Sequence, residues 1–109
     1  MYYVYVVGCA DHSLYTGTAK DPKKRIRAHV LGLSSAAKYT KSHPVVSVEA
    51  VWETTDKSAA LRLEARFKRL SREQKVAFLQ KPETVSELFD PAEDLSFRPV
   101  PLSLSEILP

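Results

Sequence analysis

The chain has 109 residues with 16 basic and 13 acidic side chains, which is the size and balance of one ordinary globular domain. Its single cysteine, Cys9, excludes a disulfide framework within the chain and a zinc site built on paired cysteines. No apolar run reaches the roughly 18 residues of a membrane span, and the N-terminus lacks a signal-peptide pattern, so we expect a cytoplasmic protein.

The charge is distributed unevenly along the chain. Residues 1–81 contain 15 Lys and Arg against 7 Asp and Glu, whereas residues 82–109 contain 1 basic and 6 acidic residues. A basic body is typical of proteins that bind polyanions such as nucleic acids. The same numbers also fit a protein with an acidic tail and no nucleic-acid partner, so charge alone leaves both interpretations open.

The first elements predict a β-hairpin. Residues 2–7 are all β-branched or aromatic, and strand character resumes at residues 14–18 after a short polar turn. A five-residue turn over residues 9–13 would pair Val7 with Tyr15 across the hairpin, whereas a four-residue turn would put Tyr5 and Tyr15 on opposite faces. The functional interpretation below requires the first register. Since side chains alternate between the two faces of a strand, this register places four residues on one face: Tyr5, Val7, Tyr15 and Gly17.

A helix is predicted to follow the hairpin. Asp21 before Pro22 is an N-cap followed by proline at the first helical position. An apolar stripe then recurs at helical spacing: Ile26, Val30 and Leu33. Residues 34–44 are expected to form a polar, basic connection.

The second half predicts one strand and two helices. Residues 45–53 alternate as a strand, Asp56 caps a second helix, and Ser71 with Gln74 forms a capping box for a third. The order β-β-α-β-α-α predicts an α+β fold in which a small three-stranded antiparallel sheet is flanked by helices.

The last 28 residues differ in character, since they contain five of the seven prolines and show no sustained apolar period. We therefore expect one domain over residues 1–81, followed by an acidic, proline-containing tail over residues 82–109. This tail is predicted to be ordered in part at most, with a short helix near residues 85–89.

Three charged or titratable residues stand at the borders of the predicted apolar helix stripes. Arg25 and His29 are four residues apart and share one face of the first helix. Glu64 is the only acid between Asp56 and Glu73, in an otherwise basic helix. A salt bridge and a metal site are both open for Glu64, and the residue by itself favours the salt bridge.

Five elements in order resemble the signature of the GIY-YIG nucleases: Tyr3-Val4-Tyr5, Tyr15-Thr16-Gly17, Arg25, His29 and Glu64. The segments 37–40 and 64–72 are similar to the small stand-alone bacterial group of that family, and the resemblance covers residues 2–80. It implies a metal-dependent nuclease that hydrolyses phosphodiester bonds of DNA. Such a protein is expected to act as a monomer on single-stranded or structured DNA, with a protein partner for targeting.

The resemblance implies a role for each site residue. Glu64 would bind one divalent ion, Mg²⁺ or Mn²⁺, because a hard cation that keeps most of its waters needs only one carboxylate. Arg25 would hold a phosphate oxygen and offset transition-state charge. Tyr5 would deprotonate the attacking water, His29 would take its proton, and Tyr15 would orient the water, with the two tyrosine roles interchangeable. Bringing a tyrosine pKa of about 10 to neutrality takes roughly 4 kcal/mol, which Arg25, the metal and His29 would supply.

Six further residues are expected to contact nucleic acid: Gly17, Lys38, Tyr39, Thr40, Lys41 and Lys68. In this interpretation the lysines bind phosphates and the Tyr39 ring stacks on a base. An ordinary basic loop at residues 38–41 is an equally good interpretation.

Three positions depart from the family pattern. Tyr3 replaces the motif glycine, Thr18 stands where larger members have lysine, and Val76 stands where many have asparagine. These departures predict slow catalysis rather than its absence. The alternatives are a non-catalytic nucleic-acid-binding module of the same fold and an adaptor that docks on a protein partner.

Overall fold

The computed structural model describes residues 1–33 and 36–108. Its centre is a four-stranded antiparallel sheet in the order β2-β1-β3-β4. The strands are β1 (Tyr2–Cys9), β2 (Leu14–Ala19), β3 (Val45–Thr54) and β4 (Arg98–Pro99). The helices are α1 (Pro22–Leu31), α2 (Lys38–Ser42), α3 (Lys57–Arg69), α4 (Arg72–Gln80) and α5 (Leu104–Ile107), with 3₁₀ segments at Pro82–Leu88 and Pro91–Glu93. None of the described helices is both long and apolar enough to cross a bilayer.

The core lies on both faces of the sheet, because successive side chains of β1 point to opposite helical layers. On one face, Val4 shares a buried cluster with Leu63 of α3. On the other face, Tyr5 and Val7 share a second cluster with Ile26 of α1. The predicted α+β class is thus confirmed.

The hairpin has the predicted register. Val7 pairs with Tyr15, and Tyr5 pairs with Gly17. Tyr5, Val7, Tyr15 and Gly17 therefore lie on the face that α1 covers, which places the predicted catalytic tyrosines side by side.

Helix starts follow the local capping chemistry. The Asp21 carboxylate accepts from the backbone N–H of Lys24 at 3.2 Å, and Pro22 occupies the first helical position. Ser71 and Gln74 cap α4 reciprocally, as the sequence predicts. These signals are local, so the sequence alone suffices to find them.

The first helix ends earlier than its apolar stripe predicts. Gly32 has φ of +64°, a left-handed conformation that terminates α1 at Leu31. Leu33 consequently leaves the stripe and is 47% exposed. The predicted connection at 34–44 contains the short helix α2, which is missing from the predicted order of elements. Residues 34 and 35 of this connection lie outside the described part of the chain.

Strand β3 does not keep the simple alternation that the sequence predicts. Ala50 and Trp52 pack with the α3 cluster, whereas Val48 packs with the α1 cluster. The pairing with β1 shifts by one residue between Val6 and Val7. The β3 side chains before and after this irregularity therefore follow opposite alternations between the two faces of the sheet.

The C-terminal segment packs on the body, which corrects two predictions. Val85 and Phe89 are buried in the α3 cluster, Ile107 is buried in the α1 cluster, and the Val100 N–H donates to the Val51 carbonyl at 2.7 Å. The sheet therefore has four strands rather than three, and residues 82–108 are a packed part of the molecule rather than a partly docked tail. Short 3₁₀ turns and a two-residue, proline-containing edge strand have no hydrophobic period from which to predict them.

Ion pairs from Arg62 and Arg66 to Glu93 attach this acidic segment to the basic helix α3. The Arg66 guanidinium donates to both carboxylate oxygens of Glu93, at 2.8 and 3.1 Å, and to the Leu88 carbonyl at 2.8 Å. It also lies over the Phe89 ring, 4.3 Å from the centroid. Part of the basic surface on α3 is thus neutralised within the protein.

We expect Val85→Ala to lower the free energy of unfolding by about 1–3 kcal/mol, because it removes two methyl groups from a side chain that is 0% exposed. Urea denaturation at neutral pH measures the change. Ser86→Ala, at the exposed neighbouring position, is the matched control and should change stability by less than about 0.5 kcal/mol. Equal, small effects of both variants would contradict the packing of this segment.

Candidate active site

A buried hydrogen bond joins β1 to α1. The Tyr5 Oη atom lies 2.6 Å from Nε2 of His29, and each residue is 1% exposed. Gly17 lies opposite Tyr5 on β2, where a Cβ atom would be 2.4 Å from that hydroxyl. Only glycine at this position leaves room for the Tyr5 ring to reach His29.

The second ring nitrogen of His29 is bound by α2. Nδ1 lies 2.8 Å from Oγ1 of Thr40, and the Thr40 hydroxyl is 3.0 Å from the carbonyl oxygen of Ala37. Thr40 is 2% exposed. Both nitrogens of the imidazole are therefore engaged by buried protein groups, from β1 on one side and α2 on the other.

Aromatic rings extend from this centre to the surface. The Tyr15 ring centroid lies 5.3 Å from that of His29 and 6.5 Å from that of Tyr5. Tyr39 stacks with Tyr15 at 5.8 Å and with His43 at 3.9 Å. The ring that was expected to stack on a base is thus already stacked within the protein.

The pKa values of the central pair differ from the sequence expectation. Burial and then the nearby charge of Arg25 lower the pKa of His29 to about 4, so the imidazole is neutral at pH 7. Burial, followed by Tyr15 and Glu64, raises the pKa of Tyr5, while the charge and hydrogen bond of Arg25 lower it by less. In the protein without metal or DNA, Arg25 and His29 therefore do not bring the pKa of Tyr5 towards neutral pH. Burial raises this pKa by more than the Arg25 guanidinium lowers it.

Glu64 is a half-buried carboxylate on α3 whose Oε2 lies 3.3 Å from Nζ of Lys68. The salt bridge that the sequence favours for Glu64 is therefore present. The negative charge of Glu64 also raises the pKa of Tyr5. Within residues 1–33 and 36–108, no three His, Cys, Asp or Glu side chains converge as a metal-ligand group. The single carboxylate of Glu64 fits a Mg²⁺ or Mn²⁺ ion that has one protein ligand and keeps its waters. It does not fit an ion whose ligands are all side chains.

The predicted nucleic-acid contacts separate into two groups. Lys38 and Lys41 are exposed on α2, and Lys68 is exposed on α3 beside Glu64. Gly17 is buried beneath the Tyr5 ring, and Thr40 is buried against His29. These last two positions support the site from behind rather than facing a ligand, which corrects their predicted role.

Sequence reasoning missed His43 as a contributor and missed the partner of Thr40. The His43 ring stacks on the Tyr39 ring, and its Nδ1 atom lies 2.8 Å from the Tyr39 carbonyl oxygen. The sequence predicts Thr40 as a contact to nucleic acid, since its hydrogen bond with His29 joins two segments that no local pattern connects. The one local signal for α2 is Pro44, which is typical of the residues that follow a helix end.

Comparison with known proteins identifies relatives that match about three-quarters of the chain. The family model described as the GIY-YIG catalytic domain matches residues 1–77. A UPF0213 protein of Fusobacterium nucleatum is 41% identical over 83 residues, covering 76% of this chain and 81% of that protein. A UPF0213 protein of Halobacterium salinarum is 40% identical over 77 residues, covering 71% and 97% respectively. The solution NMR structure of the UPF0213 protein BH0048 from Bacillus halodurans is 37% identical, covers 73% of this chain and 84% of that one, and has a TM-score of 0.45.

The lowered pKa of His29 predicts a specific acid sensitivity. Between pH 6.5 and about 4 the unfolded chain binds a proton at this histidine and the folded protein does not, so stability falls as the pH falls. The full loss attributable to His29 is about 3 kcal/mol, at 1.36 kcal/mol per pKa unit.

Urea titrations from pH 7 to pH 4 on the wild type and on His29→Gln measure this contribution as the difference between their slopes. His12→Asn is the control, because His12 is exposed and asparagine tolerates its φ of +68°. Parallel curves for the wild type and His29→Gln would show that the buried histidine is not held neutral.

Proposed function

This chain belongs to the GIY-YIG family, and we propose that it is a nuclease that hydrolyses phosphodiester bonds of DNA. The family's activity is that of endonucleases, and the finer assignment rests on the buried Tyr5–His29 hydrogen bond. A neutral imidazole held within hydrogen-bond distance of a phenol can accept the phenol's proton, which is the arrangement that supports a proton relay at a phosphate.

Tyr5 acts in this proposal as a relay and not as a standing phenolate. Because the pKa of Tyr5 is raised, its proton stays on Oη until the reaction. As Oη receives a proton from the attacking water, the hydroxyl proton passes to Nε2 of His29 across 2.6 Å. The negative charge of a bound phosphate would favour the imidazolium and oppose the effect of Arg25, so the transfer is coupled to substrate binding.

Arg25 and Glu64 supply the electrostatic part. The guanidinium of Arg25 holds a non-bridging phosphate oxygen and stabilises the charge that develops there. Glu64 would hold the one Mg²⁺ or Mn²⁺ ion, which when bound polarises the phosphate as a Lewis acid. Tyr15, whose ring lies 6.5 Å from that of Tyr5, orients the water.

The exposed lysines of α2 provide the phosphate contacts beside this centre. Lys38 and Lys41 flank Tyr39, whose ring stacks with Tyr15 of the site. A backbone held by lysines without base contacts gives binding that is sensitive to salt and tolerant of sequence. Single-stranded or structured DNA, a monomeric state, a cytoplasmic location and targeting by a protein partner stay predictions.

We expect metal-dependent cleavage that requires Arg25 and Glu64. Arg25→Lys loses the two-pronged phosphate contact and Glu64→Gln loses the anionic ligand, so each should lower kcat/KM by about 100-fold or more. Rates are measured with and without Mg²⁺ on single-stranded, duplex, flapped and branched DNA and on RNA.

The matched controls are Arg27→Lys, on the same helix and exposed, and Glu73→Gln, on the exposed first turn of α4. Both should cleave at the wild-type rate. A wild type that binds DNA with salt-sensitive affinity and cuts none of these substrates would instead identify the non-catalytic binding module.

We also expect Lys38→Ala and Lys41→Ala each to reduce the slope of log affinity against log salt concentration by about 1, since each lysine displaces one counterion. Fluorescence anisotropy of labelled DNA from 50 to 200 mM salt, about the range over which such contacts weaken, measures the slope. Lys81→Ala, at an exposed lysine outside α2, should leave it unchanged. An unchanged slope in the α2 variants would move the DNA path away from this helix.

A further inference from the structure

A chain of buried polar groups continues behind His29, on the side away from Tyr5. Nδ1 of His29 lies 2.8 Å from Oγ1 of Thr40, and that hydroxyl lies 3.0 Å from the carbonyl oxygen of Ala37. His29 is 1% exposed and Thr40 is 2% exposed. Water therefore does not replace either partner, and the direction of each hydrogen bond is set by the protein.

The protons in this chain can be assigned because Thr40 has one hydroxyl hydrogen and Ala37 offers only a carbonyl acceptor there. The Thr40 hydroxyl donates to the Ala37 carbonyl, so its oxygen is left to accept from a hydrogen on Nδ1 of His29. Nε2 then carries a lone pair and accepts from the Tyr5 hydroxyl at 2.6 Å. All three short hydrogen bonds are made in this arrangement.

The opposite tautomer satisfies fewer groups. With the hydrogen on Nε2, Nδ1 would accept from Thr40 and from the Ala37 backbone N–H, which lies 3.4 Å away. The Thr40 hydroxyl would then no longer donate to the Ala37 carbonyl, and the hydrogen of the Tyr5 hydroxyl would need a new acceptor. The Tyr5–His29 bond at 2.6 Å would persist with Nε2 as its donor, and the Ala37 N–H bond of 3.4 Å would replace the Thr40–Ala37 bond of 3.0 Å. Since the replacement is the longer bond and the Tyr5 hydroxyl loses its acceptor, this tautomer is disfavoured.

We propose that Thr40 is a positioning residue that holds His29 in the tautomer with its hydrogen on Nδ1, so that the Nε2 lone pair faces Tyr5. The catalytic consequence rests on the proposed nuclease function, whereas the tautomer is a property of the folded protein without metal or DNA. Thr40 acts through His29 and does not touch the substrate.

The proton balance of the relay depends on this arrangement. When the Tyr5 proton moves to Nε2, the imidazolium carries hydrogens on both nitrogens, and the one on Nδ1 already donates to Thr40 Oγ1. The O–H bond of Tyr5 breaks, the N–H bond at Nε2 forms, and the water proton restores the phenol. With the other tautomer, Nε2 has no lone pair to receive the proton, and the relay stops.

Thr40 is held for this task by its own helix turn. Its hydroxyl bonds the carbonyl of Ala37 three residues earlier, a local contact that restricts the threonine rotamer. A purely structural role, closing the first turn of α2, predicts the same burial but no influence on the imidazole. The test must therefore read the histidine nitrogens directly.

The experiment compares wild type, Thr40→Ser and Thr40→Val by long-range ¹H–¹⁵N correlation spectra at pH 7, without metal or DNA. Serine keeps the hydroxyl, and valine keeps the branched shape without it. The three histidines of the chain are assigned with His12→Asn and His43→Gln. We expect the hydrogen of His29 on Nδ1 in the wild type and in Thr40→Ser.

In Thr40→Val we expect the tautomer with the hydrogen on Nε2 to become populated, because the Ala37 N–H, which can only donate, is then the neighbour of Nδ1 that favours a lone pair there. With DNA and Mg²⁺, kcat of Thr40→Val should fall on the order of 10- to 100-fold, the loss typical of removing the partner that orients a metal-bound histidine, while KM stays near the wild-type value. Thr40→Ser should restore most of kcat.

A wild-type spectrum with the hydrogen on Nε2, or a Thr40→Val spectrum identical to the wild type, would overturn the inference while leaving the nuclease proposal intact. Cleavage absent from the wild type, together with the expected spectra, would remove the proposed function and leave the tautomer assignment standing. If Thr40→Val does not fold, Thr40→Ala replaces it in the same comparison.

Discussion

The structure depends on one buried polar contact, the hydrogen bond between the Tyr5 hydroxyl and the His29 imidazole. Leaving either group buried without the other would cost about 1–3 kcal/mol, so the pair constrains everything around it. The hairpin register must bring Gly17 opposite Tyr5, because any Cβ atom there would lie 2.4 Å from the Tyr5 hydroxyl oxygen and clash with it. Helix α1 must likewise dock with His29 facing the sheet, and α2 must close the far side of the ring through Thr40.

The parts of this arrangement that follow from neighbouring residues could be predicted from the sequence. The hairpin register follows from the loop length and the side-chain alternation of two short strands. The helix starts at Asp21 and Ser71 follow from their capping side chains. The grouping of Tyr5 with Tyr15 on one face required only that register, and the resemblance to a known family supplied Arg25, His29 and Glu64.

The remainder depends on contacts between distant segments. The change of side-chain alternation on β3 arises from how it pairs with β1, and nothing within residues 45–53 encodes it. The fourth strand consists of Arg98 and Pro99, which is too short to show a pattern, and the segment that precedes it is held by Arg66 on another helix. The sequence also did not predict that the pKa of Tyr5 is raised, because the burial of its ring depends on the whole fold. Thr40 is a similar case, since its own neighbours give a polar, basic context.

The shortness of α2 has a consequence for how the protein responds to temperature. A helix of five residues is far below the length of about 12–15 residues at which an isolated helix becomes marginally stable in water. It is stabilised instead by ring stacking at the surface, where the Tyr39 ring stacks with both Tyr15 and His43. Local melting of this turn would release the far side of the His29 imidazole while the sheet stays intact, so warming would break the Thr40–His29 hydrogen bond before the molecule as a whole unfolds.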